Sequence, residues 1–422
     1  MKEIIAEIIA IGDEILFGQI TNTNVQFISS QLDTIGISTI SQVAVSDLGS
    51  EITKALDYAL LRADIVLITG GLGPTKDDLT KYTLANYFDS ELEINNEALA
   101  HITNLVESRG RQMNELNRLQ ALQPVKATYI KNEVGTAPAM WFQTTEGKVV
   151  IAMPGVPFEM KYLMENSLIP KIKETFTSKP IVHYYVKTIG IAESTLAIKI
   201  EDWENSLPSN VKLAYLPSYG QVRLRLTSVA DESQEVTYSL LEAKVKEILP
   251  TIGKYIYHLG TDIEFEQIIA QRLITNNLTL GLAESCTGGA LASLFTAMAG
   301  SSQYFIGGTI PYHPSLKVSF LGVNQSTLDT YGVVSEETAI EMASGAAKNM
   351  NANIGIATTG VAGPTTGEYG KGVGTVCIGL WINGNTYAQT FNLMNVRETN
   401  IRLACIMALN MLRIKMDELK LV

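Results

Sequence analysis

Ile65-Val66-Leu67-Ile68-Thr69-Gly70-Gly71-Leu72-Gly73-Pro74-Thr75-Lys76-Asp77-Asp78-Leu79-Thr80 opens with a short apolar run, passes three glycines and ends where a helical pattern begins. An uninterrupted β-branched run without alternation reads as a strand covered on both faces, and a glycine corner then turns it into a helix. That corner belongs to a doubly wound α/β sheet. Upstream, Ile4 to Ile11 reads as another strand, and Val25, Ile28, Leu32 and Ile35 recur at helical spacing before Gly36. A strand over 37–45 and a helix over 51–62 follow, and downstream Val149 to Met153 enters Pro154-Gly155-Val156-Pro157 and a further helix. The pattern predicts an α/β domain over residues 1–170.

A second corner of the same kind, Glu284-Ser285-Cys286-Thr287-Gly288-Gly289, follows the apolar run Thr279 to Ala283. Strands near 304–310, 354–359, 373–381 and 386–391, with a closing helix over 395–414, predict another three-layer α/β domain over 256–422. Between the two, residues 171–255 read β-α-β-β-α, with a helix opening at Glu232, and predict a small α+β module that is a spacer or dimerisation element. The fold class is therefore α/β, two three-layer domains joined by an α+β module.

Composition narrows the function classes. Of the 422 residues, 46% are hydrophobic and 18% charged, which suits a chain folded throughout. A net charge of −11 argues against a general grip on nucleic acid or an anionic membrane. No apolar run reaches the ~18 residues of a membrane span, and the Met1-Lys2-Glu3 start lacks signal-peptide character, so a cytoplasmic protein is expected. Cys286, Cys377 and Cys405 have no C-x-x-C spacing and four histidines form no zinc pattern.

At the first corner, Gly70, Gly71 and Gly73 permit close backbone approach to a phosphate, and Thr75 with Asp78 resembles a capping box. Asp77 and Asp78 beside a phosphate would repel it unless a divalent cation such as magnesium lay between them. Asp13, Asn24, Thr136, Pro154, Gly155 and Glu159 are further candidates, several of them at the same carboxyl edge of the sheet. At the second corner, Gly300-Ser301-Ser302, Tyr312 and Lys317 add hydroxyls, a phenol and an amine, without a G-x-S-x-G elbow.

The stretches Gly12 to Asn24, Gly70 to Thr80, Val134 to Pro138 and Pro154 to Met160 closely resemble the CinA family, and with the C-terminal motifs the resemblance covers nearly the whole chain. It implies an N-terminal domain similar to molybdopterin-binding domains that in some members is a metal-dependent ADP-ribose pyrophosphatase, a KH-like middle module, and a C-terminal domain resembling nicotinamide mononucleotide deamidases. The glycine block would hold the diphosphate and Asp77 or Asp78 a divalent metal ion (magnesium, manganese or cobalt); the C-terminal site would need no cofactor.

There Ser302 is the preferred nucleophile with Lys317 as base and Tyr312 as proton relay, while Ser285 and Cys286 compete for the role. Ser285, Thr287, Gly288 and Gly289 are assigned to binding and oxyanion roles, Arg397 and Arg402 to the substrate phosphate, and Gly360 to Pro364, with Gly360 and Gly363, to closing over the nucleotide. Partners would be small nucleotides, nicotinamide mononucleotide and ADP-ribose, with neither general nucleic-acid nor membrane binding, and a homodimer is implied. The competing reading is a nucleotide-binding scaffold linked to competence or recombination, with one or both sites silent.

Overall fold

A computed structural model describes residues 3–230, 233–366 and 370–421; Met1 and Lys2, at the head of the N-terminal run, and Glu232, read as a helix start, lie outside them. The chain divides into two compact units, Met1–Val182 with Thr227–Leu240, and His183–Leu226 with Leu241–Val422.

The first unit holds a six-stranded sheet in the order Ser38–Val45, Ile5–Ile11, Ile65–Thr69, Val149–Met153, Ala139–Gln143, Thr128–Ile130. The first four strands are parallel and the last two antiparallel. Alternation along Ile5–Ile11 splits the core as a period of two requires: Ala6, Ile8 and Ala10 join one buried cluster, Ile9 and Ile11 another. Helix Thr23–Thr34 covers the first face and Gly49–Arg62 the second. An insertion that the periodicity left unread, with helices Asn96–Ser108 and Glu115–Gln120 between the antiparallel strands Leu92–Ile94 and Leu122–Pro124, has a small core of its own.

The middle module has a four-stranded sheet, Lys212–Ser218, Gln221–Val229, Ile181–Ile189, Ile256–Gly260. Its fourth strand lies beyond the expected boundary at 255 and pairs antiparallel with Ile181–Ile189. Ile189 and Tyr257 of this sheet share one core cluster with Phe265, Leu291 and Leu409 of the C-terminal domain. A detached spacer would not share a core.

The C-terminal sheet runs Phe305–Thr309, Leu280–Glu284, Ile354–Gly360, Thr375–Ile382, Asn385–Asn392, the first three parallel and the last two antiparallel. Helix Arg397–Glu418 packs on one face and Glu336–Asn349 on the other. That second helix lies so close that a Cβ at Gly355 would fall 2.0 Å from the Ala343 carbonyl oxygen. Gly355→Ala must push helix from sheet, and we expect a loss of about 2–3 kcal/mol in thermal unfolding.

Candidate active sites at two strand-to-helix corners

Every residue of Ile65–Thr69 is buried, so the strand delivers its glycine loop rigidly. Gly70 and Gly71 have φ of 113° and 64°, and a Cβ on Gly70 would meet the Ile11 carbonyl oxygen at 2.2 Å. Thr80 Oγ1 donates to the Gly70 carbonyl at 3.0 Å and closes the loop. The helix starts at Thr80, with no side-chain cap. Thr75 is thus not a helix cap; it pairs with Asp78 inside the loop, where Asp78 accepts from the Gly73 amide at 2.8 Å, from the Thr75 amide at 2.9 Å and from Thr75 Oγ1.

A cavity of about 480 Å³ opens above this loop. It is lined by Gly70, Gly71, Gly73, Asp77, Asp78, Thr136, Pro154, Gly155 and Glu159 as expected, and also by Glu14, Asp47 and Gln120. Asp13, Asn24 and Thr75 do not line it. Asn24 is buried, and its Nδ2 donates to Thr69 Oγ1 at 3.1 Å and to the Gly155 carbonyl at 2.8 Å, so it ties two loops together. The Asp13 amide donates to Asp47 at 3.0 Å. Burial pushes the Asp47 carboxyl upward, as do the charges of Asp13, Glu14 and Asp77, while the Asp13 amide pulls it back. Burial also raises Glu159, against the hydrogen bond that Asn132 Nδ2 gives it at 2.6 Å.

The pair Asp77–Asp78 does not fit as a metal-ligand set, because the Asp78 carboxylate is engaged by the loop. Among the described residues no three His, Cys, Asp or Glu side chains group to hold a metal ion. Four other carboxylates line the cavity, Glu14, Asp47, Asp77 and Glu159; Asn132 already engages Glu159, and Asp47 and Asp77 form a pair in which the charge of one acts on the other. Such a pair is the usual protein share of a magnesium site whose other ligands are phosphate oxygens and water, and the raised Asp47 carboxyl is what a cation would relieve.

At the second corner, Leu280–Glu284 is buried throughout and ends on a carboxylate that governs the turn. Glu284, 2% exposed, accepts from the amides of Gly289 and Leu291 at 3.0 Å each and of Ala292 at 2.7 Å. It fills the helix N-terminus that the glycine pattern offered to an anion. Thr287 is also engaged, its hydroxyl 2.6 Å from that of Thr358. Thr287, Gly288 and Gly289 accordingly shape the turn and do not line the neighbouring cavity.

That cavity, about 290 Å³, brings together Ser285, Cys286, Tyr312, Lys317, Gly360, Gly363 and Arg397. Lys317 is 1% exposed, and burial pushes its ammonium down to about 8. Its Nζ donates to the Pro311 carbonyl at 3.0 Å. The Cys286 thiol is pushed up to about 12 by burial and is not a ready thiolate. Arg397 donates to the Gly363 carbonyl at 2.9 Å and to the Tyr312 hydroxyl at 3.3 Å. Asn400, fully buried and missed by motif reading, donates to the Ala362 and Met394 carbonyls and holds the loop against the closing helix.

Two expected members stand elsewhere. Ser302 precedes the Phe305–Thr309 strand, which pairs in parallel with Leu280–Glu284, Leu280 opposite Phe305 and Ala283 opposite Thr309. It therefore sits at the sheet's opposite edge, about 16 Å of strand from the end where Ser285 and Lys317 line one cavity. Arg402 pairs with Glu398 at 3.1 Å and lies over the Tyr219 ring at 5.1 Å, away from the cavity.

Comparison with known proteins matches the chain to three family descriptions: "Probable molybdopterin binding domain" over residues 7–174, "Damage-inducible protein CinA KH domain" over 183–258 and "CinA C-terminal domain" over 262–416. A CinA-like protein of Cytophaga hutchinsonii is 45% identical over 99% of both chains. One of Flavobacterium psychrophilum is 42% identical over 96% of this chain and 97% of its own. A solved CinA superfamily structure from Escherichia coli, 37% identical, covers 36% of this chain and 88% of its own with a TM-score of 0.35. With identity of this order along its whole length, the chain belongs to the CinA family.

Proposed function

We propose that the C-terminal site is an amidohydrolase for nicotinamide mononucleotide, with Ser285 as nucleophile. The observation that carries this reading is one cavity holding Ser285 and a buried lysine whose ammonium is pushed down to about 8. Attack on an amide carbonyl needs a base with a pKa near the working pH, and neutral Lys317 supplies one. It takes the Ser285 proton as the oxygen adds to the carboxamide carbon, and a proton passed back through Tyr312 leaves with ammonia; water then releases the acid. Arg397, beside Tyr312 at the mouth, is the cation placed for the substrate phosphate. No cofactor is required for these steps.

The N-terminal cavity is proposed to hydrolyse ADP-ribose to AMP and ribose 5-phosphate, its glycine loop facing the diphosphate. Asp47 and Asp77 would hold a divalent cation, which when bound neutralises phosphate charge and activates water. Asp77→Ala is expected to abolish AMP release at unchanged thermal stability, whereas Asp78→Ala lowers stability as well because it frees the loop amides. AMP release that survives a chelator overturns the cation assignment. Three free, buried cysteines and the absence, among the described residues, of a helix able to cross a membrane suit the cytoplasmic setting proposed for both reactions. Ammonia release from nicotinamide mononucleotide by the purified chain tests the first reading, and none at all would favour a silent nucleotide-binding scaffold.

A further inference from the structure

We infer that a third cavity, where the turn between Lys212–Ser218 and Gln221–Val229 meets the C-terminal helices, binds a small organic cation, its flat apolar body over Phe265 and Leu409 and its ammonium against Glu266. The cavity holds about 350 Å³, more than the 290 Å³ beside Ser285, and neither proposed reaction uses it. Tyr219 and Gln221 line it from the turn, and all its walls belong to one compact unit. Phe265, Cys405 and Leu409 are buried in the core cluster that the middle module shares with the C-terminal domain, and Leu294, Ile401 and Ile406 are packed against that cluster. An apolar enclosure of this size with a few polar groups at its edge suits a ring with one charged arm.

The polar groups decide the sign of that arm. Two carboxylates, Glu264 and Glu266, line the cavity against a single cation, Arg402. Arg402 is already used, paired with Glu398 at 3.1 Å and lying over the Tyr219 ring at 5.1 Å. Glu264 is used as well, since its carboxylate caps helix Phe265–Thr275. Glu266 differs: it is half-buried, and no side chain among the described residues hydrogen-bonds to it. Burial pushes its carboxyl upward against the pull of its own amide, and the charge of Glu264 adds to the rise against that of Lys187, which is itself held by Asp262 at 2.6 Å. A carboxylate taken out of water without a partner is relieved by a bound ammonium, whereas an anion entering here would face both glutamates.

The cavity is built for binding and not for a second reaction. Its one thiol, Cys405, is pushed up by burial, and neither lysine nor histidine lines it to activate Ser218. Ile401 and Arg402 directly follow Asn400, which holds the Ala362 carbonyl beside the other cavity. A ligand here therefore bears on the helix that closes the Ser285 site, a consequence that rests on the amidohydrolase reading, whereas the binding does not.

Equilibrium dialysis of the full chain at pH 7 against three probes sharing one ring tests the proposal: tryptamine carries an ammonium, tryptophol a neutral hydroxyl and indole-3-acetate a carboxylate. One tryptamine per chain is expected, held about tenfold more tightly than tryptophol, as a charge-assisted bond at a half-buried carboxylate provides, with indole-3-acetate not retained. Glu266→Gln should bring tryptamine down to the affinity of tryptophol and leave tryptophol itself within about twofold. Leu294→Trp, at a partly buried position, fills the cavity and should abolish binding of both. Equal retention of the three probes, retention of none, a preference for the ammonium that survives Glu266→Gln, or tryptamine binding undiminished in a folded Leu294→Trp chain would each overturn the proposal. Should the tryptophan variant fail to fold, the ranking of the probes on wild type and Glu266→Gln still decides. All are read without nucleotide, so a chain that ranks the probes as expected yet releases no ammonia sinks the amide reading and leaves this site standing.

Discussion

Lys317→Met is expected to lower ammonia release from nicotinamide mononucleotide by about 10³-fold or more while making the protein more stable at pH 7. The two effects have one cause. Burial pushes the ammonium from 10.5 to about 8, which penalises the charged form by on the order of 3 kcal/mol. Methionine fills similar space without charge, although it strands the Pro311 carbonyl, so a net gain of about 1–2 kcal/mol remains. The sign follows from linkage. Because the folded value lies below the unfolded one, the unfolded chain binds the extra proton between about pH 8 and 10.5. The cost is therefore complete below pH 8 and fades as pH rises towards 10.5. The stability gap between variant and wild type, followed by urea unfolding across this range, should close in that window. Wild-type kcat/KM should rise with pH and level off above about 8, as the neutral amine accumulates. A variant as active as the wild type, or less stable than it at pH 7, would contradict the role given to Lys317.

Glu284→Ala should be the most damaging single change to the C-terminal fold. Its carboxylate receives three amides from the turn and the first residues of the following helix, all within 3.0 Å. Removing it orphans those donors and opens a void in a buried place. A loss of at least about 3 kcal/mol is expected, read as a lower urea midpoint, with amide hydrolysis lost as the Ser285 turn slackens. Glu284→Gln keeps the shape and one acceptor, so it should fall roughly midway. If instead Glu284→Ala were as stable as the wild type, the helix N-terminus would not depend on this cap, and it would be open to an anion as the glycine pattern first suggested.

Glycine loops after apolar strands were legible because they need only local chemistry: Gly70 cannot carry a side chain beside Ile11, so the turn demands a glycine there. What the sequence withheld is which polar groups are already used. Glu284, Asp78 and Thr287 carry the chemistry of binding residues, yet each spends its hydrogen-bonding capacity on its own turn or a neighbouring strand. The Ser302 assignment failed for a topological reason. A serine before a parallel strand and a serine after its neighbour lie at opposite sheet edges, and only the latter shares the carboxyl edge where ligands bind. Asp47 went unread because it stands in a connection without a motif, and its partners Asp13 and Asp77 come from distant parts of the chain. Arg397 and Arg402 share one helix, and only their positions around it separate a cavity cation from a surface ion pair.

The most direct measurement is ammonia release from nicotinamide mononucleotide by Ser285→Ala and Ser302→Ala, each made in the full chain. Loss of about 10³-fold or more for Ser285→Ala, with Ser302→Ala within about twofold of the wild type, is the result expected here. Full activity in Ser285→Ala, or its loss in a folded Ser302→Ala, would contradict the account.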